Sequence, residues 1–363
     1  MTVWRKIDGN GGTRYLNQEF GIPEQVPTWE IKVPRVILSE EFIFDEVFLY
    51  FRDNDTSLFA VNLESGEQLW SLETPPRSSI YFEGNKDSLL VASSIVSKVN
   101  RKTIFNFYDG GAVFPRRSSE ALVVGGAIKE IDRTNTPGRY IFYNYEDEFT
   151  ANLDIGLVKI TSYEDGRFLL GMREGRISSY DWEKKQIKWD AGSFEGYSLT
   201  DINWAPAITS HNIFIYLRDE KFIVVLNKED GSTVATYDLN GVDDRLDQFH
   251  MYYHIFSDET FHILTERRLL SFDSKTGSCL WKKELDLPKR FCGAGDIIFG
   301  IVNYRELVGW DRYTGEELWS VRLEDVPSSI KVSKRHLVVS SNGGSVTCFT
   351  WKIPYQSAYC PKS

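Results

Sequence analysis

One eleven-residue pattern recurs along this chain and limits what it can fold into. Its clearest copy is Gly309-Trp310-Asp311-Arg312-Tyr313-Thr314-Gly315-Glu316-Glu317-Leu318-Trp319. Alternating apolar residues lead to Asp311, a polar Asp-x-x-Thr-Gly cluster follows, and a second alternating run begins at Leu318 and Trp319, which is the pattern of a β-hairpin. Asp311 can accept hydrogen bonds from amides two or three residues on, and Gly315 can take the positive φ that closes a short loop. Trp319 then opens the returning strand with a flat side chain that needs a surface to pack on.

Good copies run from Ala60 to Trp70 around Asn62 and Gly66, and from Ser271 to Trp281 around Asp273 and Gly277. Ser179 to Trp189 keeps Asp181 but has Lys185 where glycine belongs, and Val225 to Ala235 keeps Asn227 and Gly231 but has Ala235 in place of tryptophan. Two weak copies centre on Asn100 and Asp132, and a last lead-in strand, Val346 to Thr350, has no returning partner. The markers Asn62, Asn100, Asp132, Asp181, Asn227, Asp273, Asp311 and Thr350 lie 32 to 49 residues apart. A repeat of about 40 residues holds four strands, the size of a propeller blade.

The expected fold is therefore all-β, an eight-bladed propeller with four antiparallel strands per blade and one domain over residues 1–363; a count of seven is the alternative, because the unit ending at Asp132 is short. Val3-Trp4-Arg5-Lys6-Ile7 is similar to the returning strand Leu280-Trp281-Lys282-Lys283-Glu284. Residues 3–7 are accordingly expected to complete the last blade beside 345–352, which would pair the two ends of the chain and leave no open sheet edge. Trp4, Trp70, Trp189, Trp281 and Trp319 then occupy equivalent outer-strand positions between blades.

Composition agrees with an all-β reading: aromatic residues make up 14% of the chain, with 10 Trp, 18 Tyr and 23 Phe. No run of eighteen apolar residues indicates a membrane span, and Met1 to Asp8 lacks the apolar core of a secretory signal, so a cytoplasmic location is expected. Cys279, Cys292, Cys348 and Cys360 form no CxxC pair, so free thiols are expected. A net charge of -10 argues against a phosphate-gripping nucleic-acid binder and favours a basic protein partner.

The motif Ala-x-Asp-x-x-Thr-Gly-x-x-x-Trp resembles the tryptophan-docking repeat of pyrroloquinoline-quinone-type propellers. That family contains quinoprotein dehydrogenases and non-catalytic scaffolds, so the resemblance implies the fold more than the activity. Its alcohol dehydrogenases carry a disulfide between adjacent cysteines over the cofactor and a calcium site of converging oxygen ligands. No two cysteines are adjacent here, and no such ligand motif is present.

Other chemistry is weakly signalled. His250 and His254 would share one face of a strand, roughly 13 Å apart at full extension, too far for one metal ion without a bend. Asp109-Gly110-Gly111 and Gly125-Gly126 lack the following helix of a phosphate loop, and no GxSxG elbow occurs. No catalytic, cofactor or metal residues are expected.

Binding is expected on the long connections at 108–117, 190–205 and 240–253, together with the acidic stretch at 145–149. The candidate partner-binding residues are Tyr108, Phe114, Arg116, Glu146, Asp147, Glu148, Phe194, Tyr197, Trp204, Asp243, Asp244, Asp247, Tyr252 and Tyr253. An acidic, non-catalytic member of this repeat family resembles an immunity protein of bacterial interference systems. That resemblance implies a monomer that binds and blocks a basic toxin nuclease domain, with no direct contact to nucleic acid or membrane. A general protein-assembly scaffold is the alternative, ahead of a quinone-dependent dehydrogenase or a carbohydrate-binding propeller.

Overall fold

The computed structural model describes residues 20–33, 43–44, 47–52, 57–73, 80–83, 88–91, 94–106, 113–117, 121–126, 139–144, 149–153, 157–164, 167–172, 176–181, 184, 186–193, 207–217, 221–242, 254–265, 267–286, 288, 290–333 and 335–358. These residues contain β-strands, turns and no helix.

Two short strands, β1 (Phe20–Pro23) and β2 (Trp29–Lys32), precede the first sheet, which is built of β3 (Ile43–Phe44), β4 (Phe48–Arg52), β5 (Ser57–Asn62) and β6 (Gln68–Glu73). The second sheet holds β7 (Ile80–Glu83), β8 (Ser88–Val91), β9 (Ser94–Ser97) and β10 (Thr103–Asn106), and the third β11 (Val113–Arg117), β12 (Ala121–Gly126), β13 (Arg139–Asn144) and β14 (Phe149–Leu153). A fourth comprises β15 (Leu157–Glu164), β16 (Arg167–Met172), β17 (Arg176–Asp181) and β18 (Gln186–Ser193), and a fifth β19 (Ala207–Ile208), β20 (Asn212–Leu217), β21 (Phe222–Asn227) and β22 (Thr233–Asp238). The sixth contains β23 (His254–Phe256), β24 (Thr260–Leu264), β25 (Arg268–Asp273) and β26 (Cys279–Glu284); the seventh β27 (Phe291–Ala294), β28 (Ile297–Val302), β29 (Glu306–Asp311) and β30 (Glu317–Arg322). In the last, β31 (Pro327–Val332), β32 (His336–Ser341) and β33 (Ser345–Tyr355) are joined by β1 and β2.

Each of the first seven sheets is an antiparallel meander in chain order. Middle strands are covered on both faces and read as continuous apolar runs: β28 is Ile-Ile-Phe-Gly-Ile-Val and wholly buried. Fourth strands, such as β26, alternate between exposed and half-buried residues, which explains the period of two after each turn. Apolar clusters form between consecutive sheets. Ile255, Leu264 and Leu269 of the sixth pack with Ile298, Val308 and Trp310 of the seventh, and Val338, Val346 and Cys348 of the last pack with Leu49, Phe51 and Val61 of the first.

By packing, Met1–Asp8, Ser78–Ala205 and Leu226–Val234 form one compact unit, and Gly9–Arg77, Pro206–Val225 and Ala235–Ser363 another.

The strand beside the start of β33 is β2, with Trp29 opposite Cys348, Ile31 opposite Val346 and Lys32 opposite Ser345. Residues 3–7, expected in that place, lie outside the described residues. Trp29 fits because its indole N–H donates to Leu63 O at 2.7 Å and its ring covers Gly66, the glycine of the first sheet's hairpin. The order of the strands also relocates two weak markers. In the second sheet the turn acceptor is Ser97, not Asn100: Ser97 Oγ accepts from the amides of Val99 and Asn100, and Arg101, at φ 61°, holds the left-handed place that glycine takes elsewhere. In the third sheet the third strand ends at Asn144, so Asp132 falls in the β12–β13 connection, outside the described residues. Gly125 and Gly126 lie within β12, opposite Phe114 and Val113.

Candidate functional site

The hairpin turns work as the sequence implies, and their chemistry is spent on joining sheets. Asp311 Oδ1 accepts from the amides of Tyr313 and Thr314 at 2.8 and 2.9 Å, and Asp273 Oδ1 from Lys275 and Thr276 at 2.9 and 2.7 Å. Asn62 and Asn227 do the same with a neutral amide oxygen. Each such turn presents a backbone carbonyl to the fourth strand of the preceding sheet. Trp189 Nε1 donates to Lys228 O at 3.0 Å, and Trp281 Nε1 to Arg312 O at 3.0 Å. The ring lies flat on the turn glycine; a Cβ on Gly231 would sit 2.4 Å from Trp189.

The copy lacking tryptophan is rescued by a residue that the eleven-residue pattern does not include. Tyr237 stacks on Gly277 and its hydroxyl donates to Ser274 O at 2.6 Å. It stands two residues beyond the usual tryptophan position, hence on the same face of the strand, so the period of two carried the signal.

Around the Asp311 turn the docking contacts merge into a polar cluster. Arg312 is 2% exposed, and its Nη2 donates to Glu259 Oε2 and to the Tyr313 hydroxyl. Tyr313 in turn donates to Glu259 Oε2 at 2.6 Å, and Asp296 Oδ1 lies 3.5 Å from Arg312 Nε. A buried guanidinium needs such partners, because an unpaired one would cost several kcal/mol, of the order of 3–5. Burial pushes the Asp311 carboxyl up, but donors including Tyr355, Thr314 and Tyr313 outweigh it and hold the acid below its ordinary range. His262 is fully buried, with Nε2 3.0 Å from Thr260 Oγ1; burial, and secondarily the Arg312 charge, push it down to about 3, so it is neutral. The cluster is a set of matched ions and hydrogen bonds tying the sixth and seventh sheets together, with His262 Nδ1 left without a hydrogen-bond partner among the described residues.

Asp258 performs a similar task between the fifth and sixth sheets, accepting from Thr209 Oγ1 and from the amides of Ser210 and His211. Neither these acids nor Arg312, Glu259 and Asp296 were singled out from the sequence. The partners of Asp258 and Glu259 are 47 to 54 residues away, beyond the reach of local pattern.

Of the predicted partner-binding residues, Phe114 and Arg116 lie in β11, so part of the expected 108–117 connection is a first strand of the third sheet, paired with β12 through Phe114 opposite Gly125 and Arg116 opposite Val123. The apolar Ala121–Val124 run supplies that partner. β11 lies alongside β7 and β15, the first strands of the neighbouring sheets. Tyr108, Glu146, Asp147, Glu148, Phe194, Tyr197, Trp204, Asp243, Asp244, Asp247, Tyr252 and Tyr253 lie outside the described residues. Cys279, Cys292 and Cys348 are free thiols; Cys360 lies outside the described residues.

These features are four-stranded antiparallel sheets joined through tryptophan-docked hairpins, and they resemble the repeat of the pyrroloquinoline-quinone-type propellers. Residues 223–321 and 265–352 match the family described as outer membrane protein assembly factor BamB. In structure the chain is similar to the computationally designed Ika8 protein, with 13% identity and a TM-score of 0.65, over 91% of this chain and 100% of that one. It is also similar to BamB from Moraxella catarrhalis, with 14% identity and a TM-score of 0.43 over the same shares. No curated protein matches the chain in sequence.

Proposed function

We propose that this chain is a non-catalytic protein-binding scaffold, a single eight-bladed propeller that presents the connections between its strands to partner proteins. The observation that carries this reading is the match of residues 223–352 to a family described as an assembly factor. The repeats support it, since their acids, glycines and tryptophans are engaged in joining sheets, which leaves the connections between strands to carry function. Affinity capture of the full chain, with binding then measured for each purified partner, tests it. Several partners bound directly through one surface fit an assembly scaffold. Turnover of an alcohol with added quinone and calcium, with a bound chromophore in the visible, would instead make it a dehydrogenase.

A second reading is favoured by the net charge of -10: a cytoplasmic, monomeric immunity protein that occludes a basic toxin nuclease domain, with long-range attraction speeding encounter. Co-expression with the product of the neighbouring reading frame tests this one. A tight one-to-one complex and protection from toxicity are expected, and the loss of either ends it. Of the expected partner-binding residues, Phe114 and Arg116 lie in strand β11 rather than in a connection, and alanine at both tests whether that strand takes part: on either reading, weakened binding by the folded variant would include it.

A further inference from the structure

Four junctions between sheets are locked by a ring N–H or hydroxyl reaching a turn carbonyl: Trp29 to Leu63, Trp189 to Lys228, Tyr237 to Ser274 and Trp281 to Arg312. Trp319, which should lock the seventh sheet to the last, has no such acceptor. It is 4% exposed, and its Nε1 has no hydrogen-bond partner among the described residues. The cause is topological. The fourth strand of the last sheet is β2, supplied from the N-terminal region, so β33 does not turn back through a hairpin. Where the seventh sheet turns at Asp311 to Gly315, β33 runs straight on through Trp351 to Tyr355. Trp319 therefore meets Phe349 and Phe299 edge-on, and its polar end is left over.

A different device holds this seam. Beyond Thr350, β33 leaves β32 and pairs with β1, Ile353 opposite Ile22 and Tyr355 opposite Phe20, making a two-stranded ribbon. Among the contacts that carry the ribbon to the seventh sheet, Trp351 stacks on Phe299 at 5.6 Å, Tyr355 Oη donates to Asp311 Oδ2 at 2.6 Å, the Ser357 amide donates to Asp296 Oδ2 at 2.9 Å, and the Ser357 side chain hydrogen-bonds Asp311. An isolated two-stranded ribbon is marginal in water, so it persists through these anchors.

We propose that the ribbon of β1 and Trp351–Ser357 is a releasable strap across the junction of the seventh and last sheets, a seam without the ring-to-carbonyl lock found at the four junctions above. When it lifts, the Phe299–Trp351 stack and the Trp319 edge become accessible while the locked junctions stay closed.

Amide hydrogen exchange on the full-length chain, read by mass spectrometry, tests the strap. Two variants weaken the anchors: Tyr355→Phe deletes the hydroxyl donor to Asp311, and Ser357→Pro deletes the amide donor to Asp296 together with the side-chain hydrogen bond to Asp311. Loss of one hydrogen bond to a carboxylate should speed local opening about tenfold or more. The acceleration should appear in peptides covering β1, 351–358 and the β27–β28 hairpin, with peptides from β24 to β26 unchanged. Selective acceleration in either variant supports the strap. Uniform acceleration across all peptides, or none in both variants, overturns it.

Discussion

Trp189, Tyr237 and Trp281 share one task, and the structure separates its parts. The flat ring covers a turn glycine, and the polar end donates to a turn carbonyl, which at Arg312 also accepts from Ser271 Oγ. Trp189→Ala should lower unfolding free energy by about 3–5 kcal/mol, through lost area and the cavity left behind. Tyr237→Phe keeps the ring and leaves Ser274 O unpaired, so about 1–3 kcal/mol is expected; urea denaturation of both variants measures the difference. His262 sets a pH dependence. Its folded value of about 3 lies below the unfolded value of about 6.5, so its stabilising contribution is complete above the latter and fades as pH falls toward the former, by up to about 1.4 kcal/mol per pH unit. In His262→Gln the fall of melting temperature from about pH 6 to pH 4 should be shallower than in wild type; parallel curves would show that other groups cause it. The turn acids were legible because their partners are two or three residues away. Arg312 was not, because nothing near it in sequence marks a cation destined for burial.

At the scale of strands, the hairpins of the third and fourth strands could be read from the sequence because turn chemistry and alternation are local. The strand completing the last sheet could not be assigned by the same means. Val3 to Ile7 and Trp29 to Lys32 both offer a tryptophan followed by mixed polar and apolar residues. Trp29 is seated because one register brings its indole to Leu63 O, its ring to Gly66 and Ile31 to Val346 together. Trp29→Ala should therefore destabilise the fold by about 3–5 kcal/mol. Ile31→Pro, which introduces a residue without an amide into a paired strand, should lower the melting temperature further than an Ile31→Ala control. A calorimetric scan in which Trp29→Ala melts like wild type would show that β2 contributes little. Asn100 illustrates the opposite limit: it takes a later place in the turn, accepting from the Lys102 amide at 3.0 Å, because Ser97 sits at the strand end where its Oγ faces the first turn amides.

Across the whole molecule, charge and repetition act at different ranges. With a net charge of -10, association with a basic partner should slow markedly as salt rises from about 50 to 500 mM, while dissociation changes less. Stopped-flow or surface-binding kinetics would show this, and a salt-independent association rate would remove electrostatic steering from the account. Repetition, by contrast, was legible in the well-kept copies: hairpin turns and docking tryptophans there are carried by neighbours in sequence, since a strand alternates every two residues and a turn closes within five. The sequence by itself determined that the chain is all-β, that it repeats and, in the well-kept copies, which residues turn and which tryptophans dock. Only the tertiary structure decided that β2 completes the last sheet, that Tyr237 replaces a missing tryptophan, that Arg312 gathers Glu259, Tyr313 and Asp296, and that a ribbon of distant segments straps the seam at Trp319. Those arrangements depend on strand pairing and packing between segments far apart in sequence, whose register rests on many weak apolar contacts at once and is written in no single stretch of chain.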